Sequence, residues 1–358
     1  MSVDLVGSTA FKSKHAERRE KNEPFPIWLN RTIGFYRQFP HILNKHYVDY
    51  LSITENSENF RETSPKIWKV VGDEIIFCVR LNCLEHLSCC IRAFVKALSS
   101  YGSLLNKSEK ELDVKGCAWI ASFPAPNATI VSPSLLYSEN SQDSAGTQLT
   151  EEDEIKADTN PREYDFLGKQ IDTGFRISRF AQAHELALSI DLAWLLTRLK
   201  QRELVDFSFL YRGREALRGV IGSVPYPIIT IQTERSVHRR ELEALERAVT
   251  GAAFAEPFRL HAYLAKFMEI NAIEVPLVKP YGDKIEAGEL PQCYNDLKNA
   301  WNVTAEEEGK REKLFQDAGD FDDGGLQAAM PGPDAENLDE INITMEKIVK
   351  DYWSEESP

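Results

Sequence analysis

The amino-acid sequence predicts an α+β fold, in which helices cover one face of a sheet. Short apolar runs bounded by turn residues are typical of strands, and they alternate along the chain with longer amphipathic segments. The chain has 358 residues, which is too long for one small domain and too short for three. We therefore expect one sizeable domain with an appendage.

The individual elements follow from the spacing of the apolar residues. Strands are predicted at residues 3–6, 67–71, 75–79, 116–123, 186–190, 205–210 and 228–232. Helices are predicted at residues 27–51, 84–98, 170–182, 192–200, 240–249 and 258–267. The second and third strands flank Gly72-Asp73, a pair typical of a hairpin turn. The last two helices follow the final strand and are expected to lie outside the sheet.

Composition divides the chain into three parts. Residues 1–234 carry the alternating pattern and form the main domain, and residues 235–301 form a helical extension. Residues about 124–162 are rich in Ser, Pro, Asn, Asp and Glu, so we expect an insertion or long mobile loop there. Residues 302–358 are expected to be an acidic, partly disordered tail.

Charge and apolar content exclude several classes of protein. The net charge is −14, and residues 305–358 contribute −11 of it, with 16 acidic and 5 basic residues. Such a tail repels phosphate polymers, which argues against nucleic-acid binding. No apolar run approaches the roughly 20 residues that span a bilayer, and the N-terminus resembles no signal peptide, so we expect a cytoplasmic protein without membrane attachment. The six cysteines show no spacing suited to zinc.

Two acidic turns are the first candidates for chemistry. Asp4 ends the first strand and is followed by Gly7, Ser8 and Thr9, where a helix could begin and offer N–H groups to phosphate oxygens. Asp73 lies in the turn between the second and third strands. Carboxylates on adjacent strands suit a two-metal site, with ions about 3.5–4 Å apart. The alternative is ordinary turn chemistry, in which Asp and Gly are common.

A third segment adds a cation. Asp165-Phe166-Leu167-Gly168 precedes a predicted helix on which Asp172 and Arg176 are four residues apart and share one face. In a functional role, Arg176 would stabilise charge on an α-phosphate. The alternative is a surface ion pair, which stabilises a helix by about 0.3–0.5 kcal/mol. Arg218, in Leu217-Arg218-Gly219-Val220, would supply a further cation for a polyphosphate.

Together, the four motifs D-L-V-G-S-T, K-V-V-G-D-E, D-F-L-G with a helical Arg, and L-R-G-V resemble those of class III nucleotidyl cyclases, in the same order. The resemblance covers about residues 2–232. It implies a ferredoxin-like catalytic domain, a head-to-tail homodimer with two active sites at the interface, and two divalent cations, Mn²⁺ or Mg²⁺. The implied reaction closes a nucleoside triphosphate into a 3′,5′-cyclic monophosphate and releases pyrophosphate.

The resemblance also implies roles for individual residues. These are metal binding by Asp4, Leu5 and Asp73, base recognition by Lys69 and Asp165, phosphate contact by Arg218, and transition-state stabilisation by Arg176 from the opposite subunit, with Asp172 beside it. Asp172 departs from the family pattern N-x-A-x-R, because Asn is usual at its position. An ionised carboxylate accepts hydrogen bonds and donates none, so Asp172 cannot copy the amide.

The residues themselves do not determine which nucleotide base is bound. A Lys and carboxylate pair can read adenine or cytosine, and it can also accept the uracil N–H while donating to a uracil carbonyl. The D-T-G-F-R segment, the insertion and the helical extension are more similar to the pyrimidine cyclases of bacterial anti-phage (Pycsar) systems. That similarity favours UTP as substrate and cyclic UMP as a messenger that activates a separate effector. CTP and ATP are the alternatives.

Two other classes remain as hypotheses. One is a nucleotide-sensing domain that has this fold and no turnover. The other is a two-metal polymerase or diguanylate-cyclase-like enzyme, although the helical Arg176 and the L-R-G-V motif suit the cyclase layout better.

Overall fold

The computed structural model describes residues 1–21, 24–132, 149–222 and 224–303. Its strands are β1 (Ser2–Val6), β2 (Lys66–Val71), β3 (Glu74–Cys78), β4 (Asp113–Ala118), β5 (Ala128–Val131), β6 (Tyr164–Leu167), β7 (Glu185–Leu188), β8 (Phe209–Glu215) and β9 (Tyr226–Gln232). Its helices are α1 (Ser8–Lys14), α2 (Ile27–Leu51), α3 (Leu84–Ser108), α4 (Glu151–Thr159), α5 (Lys169–Ile177), α6 (Ile190–Gln201), α7 (Val237–Thr250), α8 (Pro257–Ile270) and α9 (residues 292–303).

The larger sheet has the strand order β2-β3-β1-β4-β7-β9-β8. Its first four strands, with α2 between β1 and β2 and α3 between β3 and β4, form a ferredoxin-like β-α-β-β-α-β unit. β1 is antiparallel to both neighbours, while β4 and β7 are parallel. The predicted α+β fold with a ferredoxin-like core is therefore confirmed, and α7, α8 and α9 follow it as a helical extension.

Helices α2 and α3 cover one face of this sheet through aromatic packing. Phe35 and Phe39 of α2 are fully buried four residues apart, on one side of the helix. The Phe35 ring lies 5.6 Å from that of Tyr101, and the Phe39 ring meets that of Phe94 edge-on at 6.1 Å. These contacts fill the core on the helical side of β1 and β3.

A histidine inside this core makes stability depend on pH. His86 of α3 is fully buried, with its Nε2 3.0 Å from the Tyr47 hydroxyl and 2.9 Å from the Thr63 carbonyl oxygen. Burial lowers the pKa of His86 to about 4, whereas an unfolded histidine has a pKa of about 6.5. Between about pH 6.5 and 4, His86 is protonated in the unfolded chain and neutral in the folded chain. The free energy of unfolding therefore falls as pH drops from about 6.5 towards 4.

We expect the free energy of unfolding of the wild type to fall by about 2 kcal/mol more than that of His86→Gln between pH 7.5 and pH 5.0. Glutamine keeps a polar amide at this position but does not titrate. Urea denaturation at the two pH values measures the difference. An equal fall in both proteins would show that His86 does not carry this pH dependence.

Element boundaries differ from prediction where packing overrides local propensity. Helix α3 was predicted to end at Leu98 but continues to Ser108. Tyr101 and Leu105 are buried four and eight residues beyond the buried Ala97, so the apolar side of the helix extends through a stretch of Ser and Gly, which are weaker helix formers.

Two strands lie a few residues from their predicted places. β4 covers Asp113–Ala118 instead of 116–123, and β8 covers Phe209–Glu215 instead of 205–210. Residues 113 and 114 pair with β1, and residues 214 and 215 pair with β9. These limits are set by distant partner strands, which local apolar runs do not reveal.

Residues 124–162, predicted to be an insertion or long mobile loop, contain the strand β5 and the helix α4, so the loop interpretation does not hold for these two elements. β5 pairs antiparallel with β6 in a second, two-stranded sheet. α4 begins at a capping box, in which Thr150 and Asp153 exchange side-chain and backbone hydrogen bonds. Residues 133–148 of the predicted insertion lie outside the described residues.

The helical extension packs on the main core through α8. Leu260, Leu264 and Met268 of this helix are buried, and the His261 ring stacks on Trp194 of α6 at 4.9 Å. Among the residues described, no helix is both long and apolar enough to cross a bilayer. The acidic tail was predicted at 302–358, and residues 304–358 of it lie outside the described part of the chain.

Candidate active site

The face of the sheet opposite α2 and α3 carries charged residues at its centre. Val3 and Leu5 of β1 are buried in the core, and side chains alternate along a strand, so Asp4 lies on the other face. Asp4 pairs directly with Glu74 of β3 and with Lys115 of β4. Two acids and one lysine therefore meet in one row across three strands.

The two acids predicted to bind metal lie at the same end of this sheet. The Leu5 N–H donates a 3.1 Å hydrogen bond to the main-chain oxygen of Asp73, which fixes the β2–β3 turn beside the end of β1. Gly72 has a φ of 61° in this turn, and its carbonyl accepts a hydrogen bond from the Tyr36 hydroxyl. The structure thus places Asp73 beside the strand that carries Asp4, and metal binding by the two residues stays a prediction.

Each of these carboxylates already attracts a cation. Lys115 Nζ lies 3.1 Å from an Asp4 oxygen, and Lys12 Nζ of α1 lies 3.9 Å from an Asp73 oxygen. The side chains of Asp4 and Asp73 are 31% and 28% exposed, so both oxygens remain reachable from solvent. Burial, followed by the charge on Asp4, raises the pKa of Glu74, while a hydrogen bond with Ser2 lowers it.

These residues fit a hard divalent cation. Asp4 and Asp73 offer only oxygen atoms, and Leu5 could add no more than its main-chain carbonyl, which is the donor set that Mg²⁺ or Mn²⁺ prefers. Within the described ranges no group of three or more His, Cys, Asp or Glu side chains could hold a metal ion alone. Sites of this kind use one or two carboxylates and complete the coordination with water and substrate phosphates.

The segment after β1 is more constrained than its sequence suggested. Gly7 has a φ of 84°, and a Cβ there would overlap the main-chain oxygen of Glu111, so only glycine fits. The Ser8 hydroxyl donates to the Asp73 carboxylate and is buried, while Thr9 is exposed at the start of α1. Phosphate binding by these three residues stays a prediction, and the Ser8 hydroxyl is already hydrogen-bonded to Asp73.

The predicted base-reading pair is also brought together. Lys69 of β2 donates a 2.6 Å hydrogen bond to Asp165 of β6, residues that are 96 positions apart in sequence. Between them, the buried Trp68 donates from its indole N–H to the Tyr164 carbonyl at 3.1 Å and so ties β2 to β6. This bond fixes β6 beside β2 at the place where the ion pair forms.

Aromatic rings surround this pair. The Lys69 ammonium lies 4.8 Å from the centre of the Trp68 ring, which packs on Phe166 at 5.1 Å. Phe175 of α5 lies 6.3 Å from Trp68 and 5.7 Å from Trp119, yet 39% of Phe175 is exposed. A planar base placed near Lys69 would therefore meet an exposed aromatic ring as well as a hydrogen-bonding pair.

Helix α5 carries Arg176 and packs closely against Trp119 at a glycine. A Cβ at Gly174 would overlap the indole of Trp119, so this close approach accounts for glycine in the D-T-G-F-R segment. Asp172 is exposed, and none of the ion pairs in the described part of the chain joins it to Arg176. The alternative of a simple surface ion pair is therefore wrong, and both side chains are left for other contacts.

The structure places Arg176 at the other end of the sheet from Asp4. A Cβ at Gly219 would lie 3.8 Å from an Arg176 guanidinium nitrogen, so Arg176 adjoins the β8–β9 connection that carries Arg218. Tyr226, which follows that connection, accepts a 2.9 Å hydrogen bond from the Ile190 N–H, directly after β7. β7 runs parallel to β4, so the C-terminal ends of both strands lie at the same edge of the sheet, near Arg176. Asp4 pairs with Lys115 in the first half of β4 and therefore lies towards the opposite edge.

The base-reading pair lies in a row of residues across the sheet that reaches helix α5. Lys69 pairs with Ile76, Ile76 with Ser2, and Ser2 with Cys117, whose Sγ lies 3.7 Å from the Gly174 carbonyl on α5. One chain therefore holds two half-sites, an acidic one at Asp4 and Asp73 and a basic one at Arg176 and Arg218.

Sequence reasoning missed the lysines and the exposed aromatic ring. Lys115 occurs in an ordinary strand pattern, and only the pairing of β4 with β1 shows that it faces Asp4. Lys12 is one of several charged residues after Thr9, and its helical position relative to Asp73 was not readable from spacing alone. Phe175 was visible inside the D-T-G-F-R segment but had no sequence signal for exposure.

Comparisons with known proteins give a limited likeness. No protein-family model matches the sequence, and no curated protein matches it. The adenylyl cyclase CyaB from P. aeruginosa is 12% identical with a TM-score of 0.32, over 64% of this chain and 90% of that one. The guanylyl cyclase Cya2 is 13% identical with a TM-score of 0.29, over 64% and 88%. A bacterial light-regulated adenylyl cyclase is 9% identical with a TM-score of 0.31, over 74% and 55%. Function is therefore inferred from the geometry of the two half-sites.

Proposed function

We propose that the protein is a nucleotidyl cyclase that converts a nucleoside triphosphate into a 3′,5′-cyclic monophosphate and pyrophosphate. The observation that carries this proposal is the meeting of Asp4 and Asp73 at the end of β1, through the bond from the Leu5 N–H to Asp73. Two reachable carboxylates at one point suit a substrate that arrives with divalent cations. The motif resemblance supplies the reaction class.

In the proposed reaction the 3′-oxygen bonds to the α-phosphorus, and the bond from that phosphorus to the β-phosphate oxygen breaks. The proton of the 3′-hydroxyl passes to solvent water, and pyrophosphate leaves. Asp4 and Asp73 would hold Mg²⁺ or Mn²⁺, which neutralise phosphate charge in reactions of this class. Arg176 would donate hydrogen bonds to the α-phosphate as its charge develops, and Arg218 would bind the polyphosphate.

Two copies of the chain are needed under this proposal. Arg176 adjoins the β8–β9 connection, whereas Asp4 lies towards the other end of the sheet, so we expect the two residues that act on one α-phosphate to come from different copies. In a head-to-tail homodimer, the acidic half-site of one copy would face the basic half-site of its partner, twice. Lys69 and Asp165 would then read the base beside Arg176.

The proposed substrate is UTP. The Asp165 carboxylate can accept the uracil N–H while the Lys69 ammonium donates to a carbonyl oxygen, and the two groups already lie 2.6 Å apart. Cyclic UMP would act as a cytoplasmic messenger for an effector protein in anti-phage defence, a role that rests on the motif resemblance alone. CTP and ATP remain the alternative substrates.

We expect the protein to form cyclic UMP from UTP with Mn²⁺ at least about tenfold faster than it cyclises ATP, CTP or GTP, a ratio that one well-placed hydrogen bond provides. Separate incubations with each nucleotide, followed by chromatography and mass spectrometry of the products, measure the four rates. Omission of the metal is the control. A cyclic product from ATP alone would overturn the pyrimidine assignment and leave the cyclase assignment standing.

A further inference from the structure

The acidic half-site contains two lysine side chains. Lys115 stands directly opposite Asp4 in the β1–β4 pairing, with Nζ 3.1 Å from the carboxylate, and Lys12 reaches Asp73 at 3.9 Å from α1. These are the oxygens assigned above to the divalent cations. An ammonium group and a metal ion that bind the same oxygen exclude each other.

We propose that Lys115 and Lys12 are resting counter-ions of the metal-binding carboxylates, and that they move to the triphosphate when it binds with its cations. This inference rests on the proposed function of the half-site. It assigns two further substrate-binding residues. It also implies that the metal ion binds weakly by itself and more tightly together with the nucleotide.

The position of both lysines allows such a move. Their side chains are 29% and 36% exposed, and a lysine stem has four flexible carbons, so either ammonium can leave its carboxylate without disturbing the backbone. Lys115 lies in the middle of a paired strand, which keeps its Cα fixed while its head group moves. The contact with Asp4 is closer than that of Lys12 with Asp73, so Lys115 is the stronger competitor.

Charge explains why the move depends on the nucleotide. A metal ion that takes the oxygen of Asp4 or Asp73 displaces the lysine beside it, and that ammonium then needs a new anionic partner, for which the half-site itself offers Glu74 alone. A triphosphate beside the metal ions offers that partner, because its oxygens carry several negative charges. Metal and nucleotide should therefore each raise the affinity for the other.

Binding of Mn²⁺ alone to the full chain tests the first half of the proposal. The free Mn²⁺ signal in electron paramagnetic resonance gives Kd without turnover. We expect Lys115→Met to lower the Kd for Mn²⁺ about tenfold and Lys12→Met to lower it less, because a neighbouring positive charge is removed. Lys115→Arg, which keeps the charge, should resemble the wild type.

Lys14→Met is the matched control. Lys14 lies two residues from Lys12 on the same helix but pairs with Glu111, so this variant removes one positive charge nearby without touching Asp4 or Asp73. Its Kd for Mn²⁺ should equal that of the wild type. An equal Kd for Lys115→Met and wild type, with Mn²⁺ bound by both, would overturn the inference and leave the cyclase proposal intact.

The second half is tested with α,β-imido-UTP and Mn²⁺, a pair that binds without reaction. At a Mn²⁺ concentration that saturates both proteins, Lys115→Met should weaken binding of this analogue about tenfold, as loss of a charge-assisted hydrogen bond does. Tighter Mn²⁺ binding with unchanged analogue binding would overturn the transfer of Lys115 to the triphosphate. Failure of the wild type to bind Mn²⁺, with or without the analogue, would instead contradict the proposed function. Circular dichroism confirms that each variant is folded.

Discussion

Asp73→Asn is expected to lower the kcat of nucleotide cyclisation at least about 1,000-fold while the protein stays folded. A metal ion contributes several kcal/mol of charge stabilisation to such a transition state, and each 1.36 kcal/mol is a factor of ten in rate. Asparagine keeps the shape of the side chain but removes the charge that would hold the cation. Initial rates with UTP and Mn²⁺ measure the loss.

The structure explains why the fold should survive this change. The hydrogen bond from the Leu5 N–H goes to the main-chain oxygen of Asp73 and is kept, and an amide oxygen can still accept from Ser8. The contact with Lys12 is long and partly exposed, so its loss costs little. Thermal melts of variant and wild type should therefore agree within a few degrees.

Asp206→Asn is the matched control for charge. Asp206 is 98% exposed after α6 and contacts Lys200, away from both half-sites, so its variant should keep the wild-type rate. An Asp73→Asn protein that retains more than about a tenth of the wild-type rate would contradict the metal-binding role. A wild type that is silent with every nucleotide and metal ion would favour the nucleotide-sensing alternative.

Mixing two inactive variants is expected to restore about a quarter of wild-type activity. If Arg176→Ala and Asp73→Asn affect different halves of a composite site, a mixed dimer has one site with both defects and one site with neither. Random pairing makes about half of the dimers mixed, each with one of its two sites intact. Refolding or co-expression of the variants with different affinity tags, followed by rate measurement, tests this result.

The control mixes two variants of the same half-site. Asp4→Asn with Asp73→Asn should recover nothing, because every site in a mixed dimer then carries a defect. Recovery in this control would show that the two acids act in different sites. Absence of recovery in the Arg176 and Asp73 mixture, with dimers present, would place the two residues in one chain's own site and refute the head-to-tail arrangement.

Much of the fold could be predicted from local pattern. The helix at residues 27–51 has the predicted limits, and the hairpin around Gly72-Asp73 was found from its turn residues and flanking apolar runs. These elements are encoded by neighbours in sequence. The limits of α3, β4 and β8, and the strand β5 within the predicted loop, were missed because contacts with distant segments decide them. Helix α4 was missed although its capping box of Thr150 and Asp153 is a local signal.

The candidate site divides in the same way. Asp4, Asp73, Lys69, Asp165 and Arg176 were readable as residue types in four ordered motifs. The structure pairs Lys69 with Asp165 and fixes Asp73 beside β1, but it does not pair Arg176 with Asp172. The sequence did not reveal which side chains face each other across the sheet. A shift of one residue in the pairing of β4 with β1 would turn Lys115 to the helical face and put an apolar residue opposite Asp4.

By itself the sequence determined the alternation of strands and helices, the order of the motifs and the chemistry of their side chains. The tertiary structure decided that Asp4 and Asp73 share one end of the sheet, that Arg176 lies at the other end, and that lysines stand opposite both acids. The physical reason is that strand register and order join residues far apart in sequence, such as Asp4 and Lys115, which are 111 positions apart. No local propensity specifies such a pairing, because it depends on which face of the sheet is buried under the helices.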